Sequence, residues 1–300
     1  MVGNRWPTPF PLPYDTAQAL IKMRKRCANL GLWLDRYVDY ERGRDDVYVP
    51  SEHAKQRKEH DERPLSCKPL EPVIQAHYAR WRASLSEGGR AFREFQAKPE
   101  WRVVVGLGGP SPLETAITLH RIYGFPIIPG SGLKGIARAY AELAEGKDEN
   151  DAEFWAVFGG VRQVDLEGQK VEKRAAGQIR FLEAVPVHEP QLELDVMNPH
   201  YPEYYQGNEP PADYQSPVPI YFLTVAQDSP FAFGVVARTQ ESNRHIDKAV
   251  EWLKQGLREL GTGGKTTAGY GIWELTVCKD HTHAAIKAAL SSSSEHADCG

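Results

Sequence analysis

Hydrophobic positions after residue 100 repeat with two different periods, and the two periods alternate along the chain. Ser131–Leu143 and Asn243–Leu260 have apolar residues at the three- and four-residue spacing of amphipathic helices. Segments rich in β-branched and aromatic residues predict strands, and they are Trp101–Leu107, Gln178–Val187, Val218–Ala226, Pro230–Arg238 and Gly271–Val277. Because turn residues alone separate Val218–Ala226 from Pro230–Arg238, these two segments are predicted to pair as a hairpin.

The order of these elements predicts the fold class. With the hairpin counted as one central pairing, the order is strand, helix, strand, strand, helix, strand, which is typical of an α+β, ferredoxin-like (RRM-like) β-α-β-β-α-β core. Such a core has an antiparallel sheet with both helices on one face. The opposite face of the sheet is therefore predicted to be free to hold a ligand.

The first hundred residues differ from the rest in their hydrophobic pattern. Asp15–Leu34 and Ile74–Phe95 have helical spacing, so residues 1–100 are predicted to form a largely helical extension. Residues 101–279 are predicted to form the ferredoxin-like domain, and residues 280–300, which lack periodicity, a disordered tail. Within the domain, Pro190–Pro219 is predicted to be a long connection whose tyrosines favour a contact surface.

Composition and charge narrow the classes of function. The 300 residues carry a net charge of −4, with a pI near 6.2, which argues against a protein that coats nucleic acid by bulk positive charge. A polyanion would need a local basic surface. No apolar run approaches the length of a membrane span and the first residues lack the order of a secretory signal, so a cytoplasmic location without membrane contact is expected. Neither a zinc knuckle nor a redox motif is predicted, because four scattered cysteines form no C-x-x-C pair: Cys27, Cys67, Cys278 and Cys299.

A glycine-rich loop follows the second predicted helix. Residues 261–271 place five glycines around Lys265, and such a loop offers unhindered N–H donors and a cation to a phosphate. Gly264-Lys265-Thr266 matches the end of a nucleotide-binding phosphate loop, but Glu259 stands where that motif needs glycine, and here the helix precedes the loop. A nucleotide hydrolase is therefore disfavoured. The simpler alternative is a helix C-cap at Gly261, although one glycine would suffice for that.

A second glycine-rich segment, Leu119–Gly135, precedes the first predicted helix. Pro129-Gly130 predicts a turn, and Ser131 is predicted to cap the helix. Lys134 and Arg138 are four residues apart, so they share a helix face near its N-terminus, where a phosphate would be favoured. The alternative is an ordinary capped helix whose glycines allow tight packing on the sheet.

The two segments together carry a resemblance to a known family. Ile128-Pro129-Gly130-Ser131-Gly132-Leu133-Lys134-Gly135 closely resembles the signature of the RAMP superfamily, the RNA-binding subunits of CRISPR systems, and Gly261–Gly271 resembles that superfamily's C-terminal glycine-rich loop. Val105–Thr118 and Asp195–Tyr205 resemble the sixth RAMP subunit of the Cmr, or type III-B, effector complex. The resemblance covers residues 101–277. Gly132 departs from the serine or alanine that is usual at its position.

The resemblance implies a non-catalytic subunit at the head end of a guide RNA–protein filament, binding the 3′ part of the guide in antiviral defence. The implied partners are CRISPR guide RNA and the other RAMP and small subunits of the Cmr complex, with target RNA left open. No cofactor or metal is predicted. A guide bound irrespective of sequence favours amides, cations and flat aromatics. The predicted RNA contacts are Arg121, Ser131, Lys134, Arg138, Gly263, Gly264, Lys265, Thr266, Thr267 and Tyr270.

Two other classes of function remain open at this point. Some RAMP proteins cleave guide precursors without metal, using a histidine near a bound phosphate, so His120 makes a metal-independent endoribonuclease the alternative. A histidine without a visible base partner also fits a packing role at a strand end. The third class is a protein-only assembly factor, which would not contact RNA.

Overall fold

The computed structural model describes residues 29–35, 40–42, 48–50, 70–86, 90–166, 169–198, 204, 207–208, 210 and 219–276. The predicted tail at 280–300, the four cysteines and most of the predicted helix Asp15–Leu34 lie outside these residues. The helices are α1 (Leu30–Asp35), α2 (Glu71–Ser86), α3 (Gly130–Glu145), α4 (Ala152–Phe158) and α5 (Ile246–Glu259). Among the described residues, no helix is both long enough and apolar enough to cross a membrane.

The described strands are two to eight residues long, and every pairing between them is antiparallel. They are β1 (Tyr40–Arg42), β2 (Tyr48–Pro50), β3 (Phe92–Pro99), β4 (Gly159–Leu166), β5 (Gln169–Ala176), β6 (Ile179–Phe181), β7 (Val185–Pro186), β8 (Leu192–Met197), β9 (Ile220–Val225), β10 (Phe231–Ala237) and β11 (Trp273–Leu275). Turns of 3₁₀ helix lie at Glu241–His245 and Thr266–Ala268.

The chain divides into two compact units. The first unit consists of residues 1–70, 104–126 and 190–226, and the second unit of residues 71–103, 127–189 and 227–300. Each unit is therefore assembled from separate stretches of chain. The division does not coincide with the predicted boundary at residue 100, since α2 and β3 belong to the second unit.

The second unit is built on a sheet with the strand order β11-β3-β10-β6, and β7 also pairs with β10. Every pairing is antiparallel, with Phe233 opposite Phe95 and Trp273 opposite Pro99. The first strand of this sheet in chain order is thus β3, and the prediction of a strand at Trp101–Leu107 was wrong. The helical spacing seen over Ile74–Phe95 spans two elements: α2 ends at Ser86, and the aromatics beyond it are strand residues whose register with β10 buries them.

Both faces of this sheet are covered by helices. On one face Phe95 and Phe233 stack at 5.2 Å, and the ammonium of Lys254 from α5 lies 5.1 Å from the Phe95 ring. On the other face a Cβ on Gly234 would lie 2.7 Å from the ring of Trp81 in α2. The predicted free face is therefore wrong. All seven residues of β10 are buried, as is usual for a strand packed on both sides.

Helices α3 and α5 pack against each other in antiparallel directions. Glu145 at the end of α3 pairs with Lys248 near the start of α5 at 3.0 Å. Towards the other end, a Cβ on Gly256 would lie 2.7 Å from Cγ2 of Ile136, so glycine allows close approach there. The predicted helices Ser131–Leu143 and Asn243–Leu260 are confirmed to within three residues at each end.

The predicted hairpin of Val218–Ala226 with Pro230–Arg238 is wrong. In the first unit β9 pairs with β8, with Leu192 opposite Val225, whereas β10 pairs with β3, β6 and β7 in the second unit. The segment predicted as a connection, Pro190–Pro219, therefore contains a strand. A short turn between two apolar runs favours a hairpin, but here each run pairs with a strand that is more distant in sequence.

One element had no counterpart in the predictions. Strands β4 and β5 form a two-stranded hairpin with Gly159 opposite Ala176 and Leu166 opposite Gln169. Within the described part of the chain it pairs with no further strand, and every residue of β5 is exposed.

Candidate nucleic-acid interface

The glycine-rich loop after α5 is closed at its base by backbone hydrogen bonds. The N–H of Thr262 donates to the carbonyl of Gly271 at 2.8 Å, and the N–H of Gly271 donates to the carbonyl of Arg102 at 2.7 Å. The φ angles of Gly261, Gly263, Gly269 and Gly271 are 73°, 91°, 89° and 72°, a region that residues with a Cβ rarely adopt. The glycines are therefore needed for the path of the backbone through this turn.

Lys265 lies at the apex of the loop in the left-handed conformation, with φ 60° and ψ 30°. For a residue other than glycine this conformation costs about 1–2 kcal/mol. Hydrogen bonds hold it, because the Lys265 carbonyl accepts from the N–H groups of Ala268 at 2.9 Å and Tyr270 at 3.4 Å. The side chain of Lys265 is partly exposed.

Four N–H groups around Lys265 are not used by the fold. Within the described residues, the N–H groups of Gly263, Gly264, Thr266 and Thr267 donate no hydrogen bond. Gly263 and Thr267 are exposed, and Gly264 and Thr266 are partly exposed. A run of unsatisfied N–H groups with a neighbouring ammonium is an arrangement that binds anions such as phosphate.

Tyr270, a predicted contact, lies under the loop rather than on its surface. Its residue is only 6% exposed, and its ring packs against Trp101 with the centroids 4.7 Å apart. The exposed aromatic here is Trp101, at 43%. Trp101 is not among the predicted site residues, because the sequence predicts it as the first residue of a strand.

The turn before α3 is built differently from the loop. Pro129 is the residue before the helix and no side chain caps it, so the predicted cap by Ser131 is wrong, and Ser131 is exposed in the first turn. A Cβ on Gly130 would overlap the carbonyl oxygen of Phe181 in β6. Gly130 therefore allows the helix to start directly against the sheet.

The two cations of α3 are bound within the protein. Lys134 Nζ donates to the carbonyl oxygen of Phe158 at 2.7 Å, and burial lowers the pKa of Lys134, with a further lowering by Arg138 and Arg238. Arg138 pairs with Glu142 at 2.8 Å and with Glu149. These contacts join α3 to the end of α4 and to the segment before it.

The loop and the start of α3 lie at the same end of the helix layer. Since α3 and α5 are antiparallel, the last residues of α5 lie beside the first turn of α3. The strand directions support this, because β3 and β6 end at the same end of the sheet at which β10 and β11 begin. Neighbouring packed helices are about 8–10 Å apart, so one polynucleotide strand can reach both turns.

Arg121 is the one predicted contact that belongs to the first unit, where it is exposed. It lies in a turn closed by the Gly124 N–H donating to the His120 carbonyl at 2.7 Å. Nδ1 of His120 accepts from the N–H groups of Ile122 at 3.2 Å and Tyr123 at 3.3 Å. His120 thus has a structural role in this turn, as the packing alternative requires.

Both the sequence and the fold are similar to those of known proteins. The family model described as "RAMP superfamily" matches residues 101–274, and the chain belongs to this superfamily. Within the superfamily it is similar to the "CRISPR system Cmr subunit Cmr6" of Pyrococcus furiosus, with 37% identity over 224 residues, 58% of this chain and 65% of the relative. The Cmr6 subunit of Saccharolobus solfataricus is 26% identical over 189 residues, 61% of this chain and 57% of the relative. The predicted resemblance to the sixth Cmr RAMP subunit is confirmed.

The chain spans less than two thirds of the length of these curated relatives. Among solved structures, the chain resembles one from the cryo-EM structure of the type III-B Cmr-beta bound to cognate target RNA, with TM-score 0.58, 20% identity and coverage of 78% of this chain and 76% of that chain. At this level of identity the likeness concerns the fold.

Proposed function

We propose that this chain is a non-catalytic RNA-binding subunit of a type III-B CRISPR effector complex, where it binds the 3′ part of the guide RNA at the head end of the filament. Membership of the RAMP superfamily and the similarity to Cmr6 subunits support this role. Its partners are then guide RNA and other RAMP and small subunits of the complex.

One observation carries the proposal: the glycine-rich loop presents four N–H groups and Lys265 at the end of the helix layer where α3 begins. Backbone amides and a lysine contact phosphates without reading bases, as a guide of varying sequence requires. The net charge of −4 is compatible with this because only one edge faces RNA.

We also propose that the second unit is a ferredoxin-like core. In chain order β3, β6 with β7, β10 and β11 are its four strands, and α3 and α5 are its two helices. The sheet order β11-β3-β10-β6 then reads fourth, first, third, second, which supports this topology. Because α2 covers the second face of the sheet, RNA binds at the end of the helix layer rather than across the sheet.

The loop is tested most directly by Thr267→Glu, with Thr267→Gln as the matched control. Thr267 is exposed and carries one of the four N–H groups, so both side chains fit without disturbing the core. The carboxylate repels phosphate, whereas the amide does not. We expect Thr267→Glu to weaken single-stranded RNA binding strongly and Thr267→Gln to leave it close to wild type, measured by filter binding at several salt concentrations. Equal affinities for the two variants contradict a phosphate site at the loop, and a wild-type chain that binds no RNA favours the assembly-factor class.

The position on the guide is tested in the assembled complex. Guides carrying a photoreactive nucleotide at successive positions are crosslinked, and the peptides are identified by mass spectrometry. We expect the 3′ part of the guide to crosslink to the loop peptide around Lys265. Crosslinks from the 5′ part alone would contradict the proposed register while leaving RNA binding intact.

The endoribonuclease alternative is tested with His120→Asn. The Asn side-chain oxygen can replace Nδ1 as the acceptor for Ile122 and Tyr123, so the turn is kept while proton transfer is lost. We expect neither the wild type nor the variant to cleave CRISPR repeat RNA. Sequence-specific cleavage by the wild type that disappears in His120→Asn would overturn the non-catalytic role.

A further inference from the structure

Trp101 differs from the other tryptophans of the second unit. Trp81, Trp252 and Trp273 are 7%, 0% and 2% exposed and belong to the core, and Trp155 is partly buried. Among the tryptophans whose side chains the structure describes, only Trp101 is exposed, at 43%. Exposing so large an aromatic ring to water is unfavourable, so its position indicates a role at the surface.

The backbone around Trp101 is fixed to the glycine-rich loop. The Glu100 N–H donates to the carbonyl of Ile272 at 2.9 Å, and the Gly271 N–H donates to the carbonyl of Arg102 at 2.7 Å. These two bonds lie on either side of residue 101. Trp101 is therefore held beside the end of the loop whose N–H groups are proposed to bind phosphate.

The indole ring is also supported by its neighbours. Buried Tyr270 packs against it at 4.7 Å with the rings inclined by 48°. The guanidinium carbon of Arg102 lies 5.2 Å from the ring centroid, which is a cation–π distance. Support from Tyr270 restricts the ring, and Arg102 adds positive charge where a phosphate would follow a stacked base.

We propose that Trp101 is a base-stacking residue: an unpaired base of the bound RNA stacks on the Trp101–Arg102 pair while its backbone lies on the loop. This inference rests on the proposed RNA-binding function and deepens it by naming a base subsite. Stacking on an aromatic ring or a guanidinium plane accepts any base, as a guide of varying sequence requires. A base is favoured over a protein surface because Trp101 is flanked by Glu100 and Arg102 rather than by an apolar patch.

The experiment uses the full chain and single-stranded RNA with 2-aminopurine at successive positions, whose fluorescence is quenched by stacking. The variants are Trp101→Leu, which keeps apolar bulk without a π-system, and Trp101→Phe, which keeps an aromatic face. We expect Trp101→Leu to lower affinity about tenfold and to remove the quenching at one position, whereas Trp101→Phe retains most of both. Lys265→Ala should weaken affinity but leave that position quenched in the RNA that remains bound.

The outcomes separate this inference from the proposed function. If RNA binds the wild type but no labelled position shows quenching that depends on Trp101, the stacking proposal is overturned. The proposed RNA-binding function then still stands. A wild-type chain that binds no RNA would overturn the function itself. Thermal unfolding checks that Trp101→Leu is folded, and ultraviolet crosslinking of the unaltered chain in the assembled complex needs no variant. A crosslink from Trp101 to a base supports stacking, whereas a crosslink only to a neighbouring subunit overturns it.

Discussion

The turn before α3 and the loop after α5 have similar glycine-rich sequences but different structures. Before α3 the side chains of Lys134 and Arg138 are bound by oxygen atoms of the protein itself. In the loop, N–H groups around Lys265 remain without a partner among the described residues. The side chains of the first segment therefore contribute to packing, and the second segment is the one that we propose binds RNA.

Glycine serves a different purpose in each segment. Gly130 is needed because a side chain would overlap the carbonyl of Phe181, whereas the loop glycines are needed because the backbone adopts positive φ. A glycine-rich signature does not distinguish these two roles. What distinguishes them is whether the neighbouring backbone N–H groups already donate hydrogen bonds within the described part of the fold.

The largest effect is expected from Gly130→Ala. The new methyl group would overlap Phe181, and overpacking of this kind costs about 1–3 kcal/mol in the free energy of unfolding. Gly135→Ala is the matched control: nothing lies within 4 Å of its Cβ position, and alanine in place of a mid-helix glycine stabilises by about 0.5–1 kcal/mol. Urea unfolding of both variants measures the difference. Similar stabilities would show that the start of α3 is not tightly packed on β6.

The next effect concerns the loop. Lys265→Ala is expected to weaken RNA binding several-fold and to reduce the slope of log K against log salt by about 0.7, the value for one single-strand phosphate contact. Lys147→Ala removes the same charge beyond the opposite end of α3, where Lys147 pairs with Asp151, and should leave the slope unchanged. A base-selective loss of affinity, or an equal change in both variants, would count against a backbone contact.

Lys134→Met tests whether the first segment acts mainly in packing. Methionine keeps the apolar stem but leaves the Phe158 carbonyl without its donor, so we expect a loss of about 1 kcal/mol in the free energy of unfolding. We expect the salt slope of RNA binding to change less than in Lys265→Ala. If Lys134→Met reduces the slope as much, the two segments bind phosphate alike and the contrast fails.

The smallest effect is expected from Asp151→Asn. Asp151 caps α4 by accepting from Glu153 and Phe154, and its contact with the Lys147 ammonium, together with these N–H groups, lowers the pKa of Asp151. Asparagine keeps the cap but loses the charge, which is worth about 0.3–1 kcal/mol.

The sign of the pH dependence follows from the lowered pKa. Since the pKa of Asp151 is lower in the folded than in the unfolded state, its stabilisation is complete above the ordinary value of 3.8 and is lost as pH falls through the folded-state pKa. The stability difference between wild type and Asp151→Asn should therefore vanish in strong acid, as measured by urea unfolding at a series of pH values. RNA binding at neutral pH should be unaffected, because α4 supports the first segment only.

The sequence predicted the elements better than their pairing. Amphipathic spacing located α3 and α5, and glycine spacing located the loop, because both depend on residues close in the chain. Strand partners depend on distant residues. Val218–Ala226 and Pro230–Arg238 fitted a hairpin locally, yet β9 and β10 pair elsewhere.

The burial of both sheet faces was not predicted, although the sequence carries a signal for it. The run Phe231–Ala237 is apolar throughout, without alternation, which indicates a strand buried on both faces and hence no free face. Trp101 was assigned to a strand by its β-branched neighbours, and no local pattern shows that the chain leaves the sheet at Pro99. The positions of Tyr270 beneath the loop and Lys134 against Phe158 have no local signature.

The amino-acid sequence by itself determined the superfamily, the two long helices and the glycine turn around Lys265. These features follow from local backbone preference and short-range periodicity. Only the folded structure decided which cations are already bound by carbonyl and carboxylate oxygens, and which aromatic ring faces water. The physical reason is that hydrogen-bond satisfaction and exposure depend on groups distant in sequence, such as Phe158 for Lys134 and Tyr270 for Trp101.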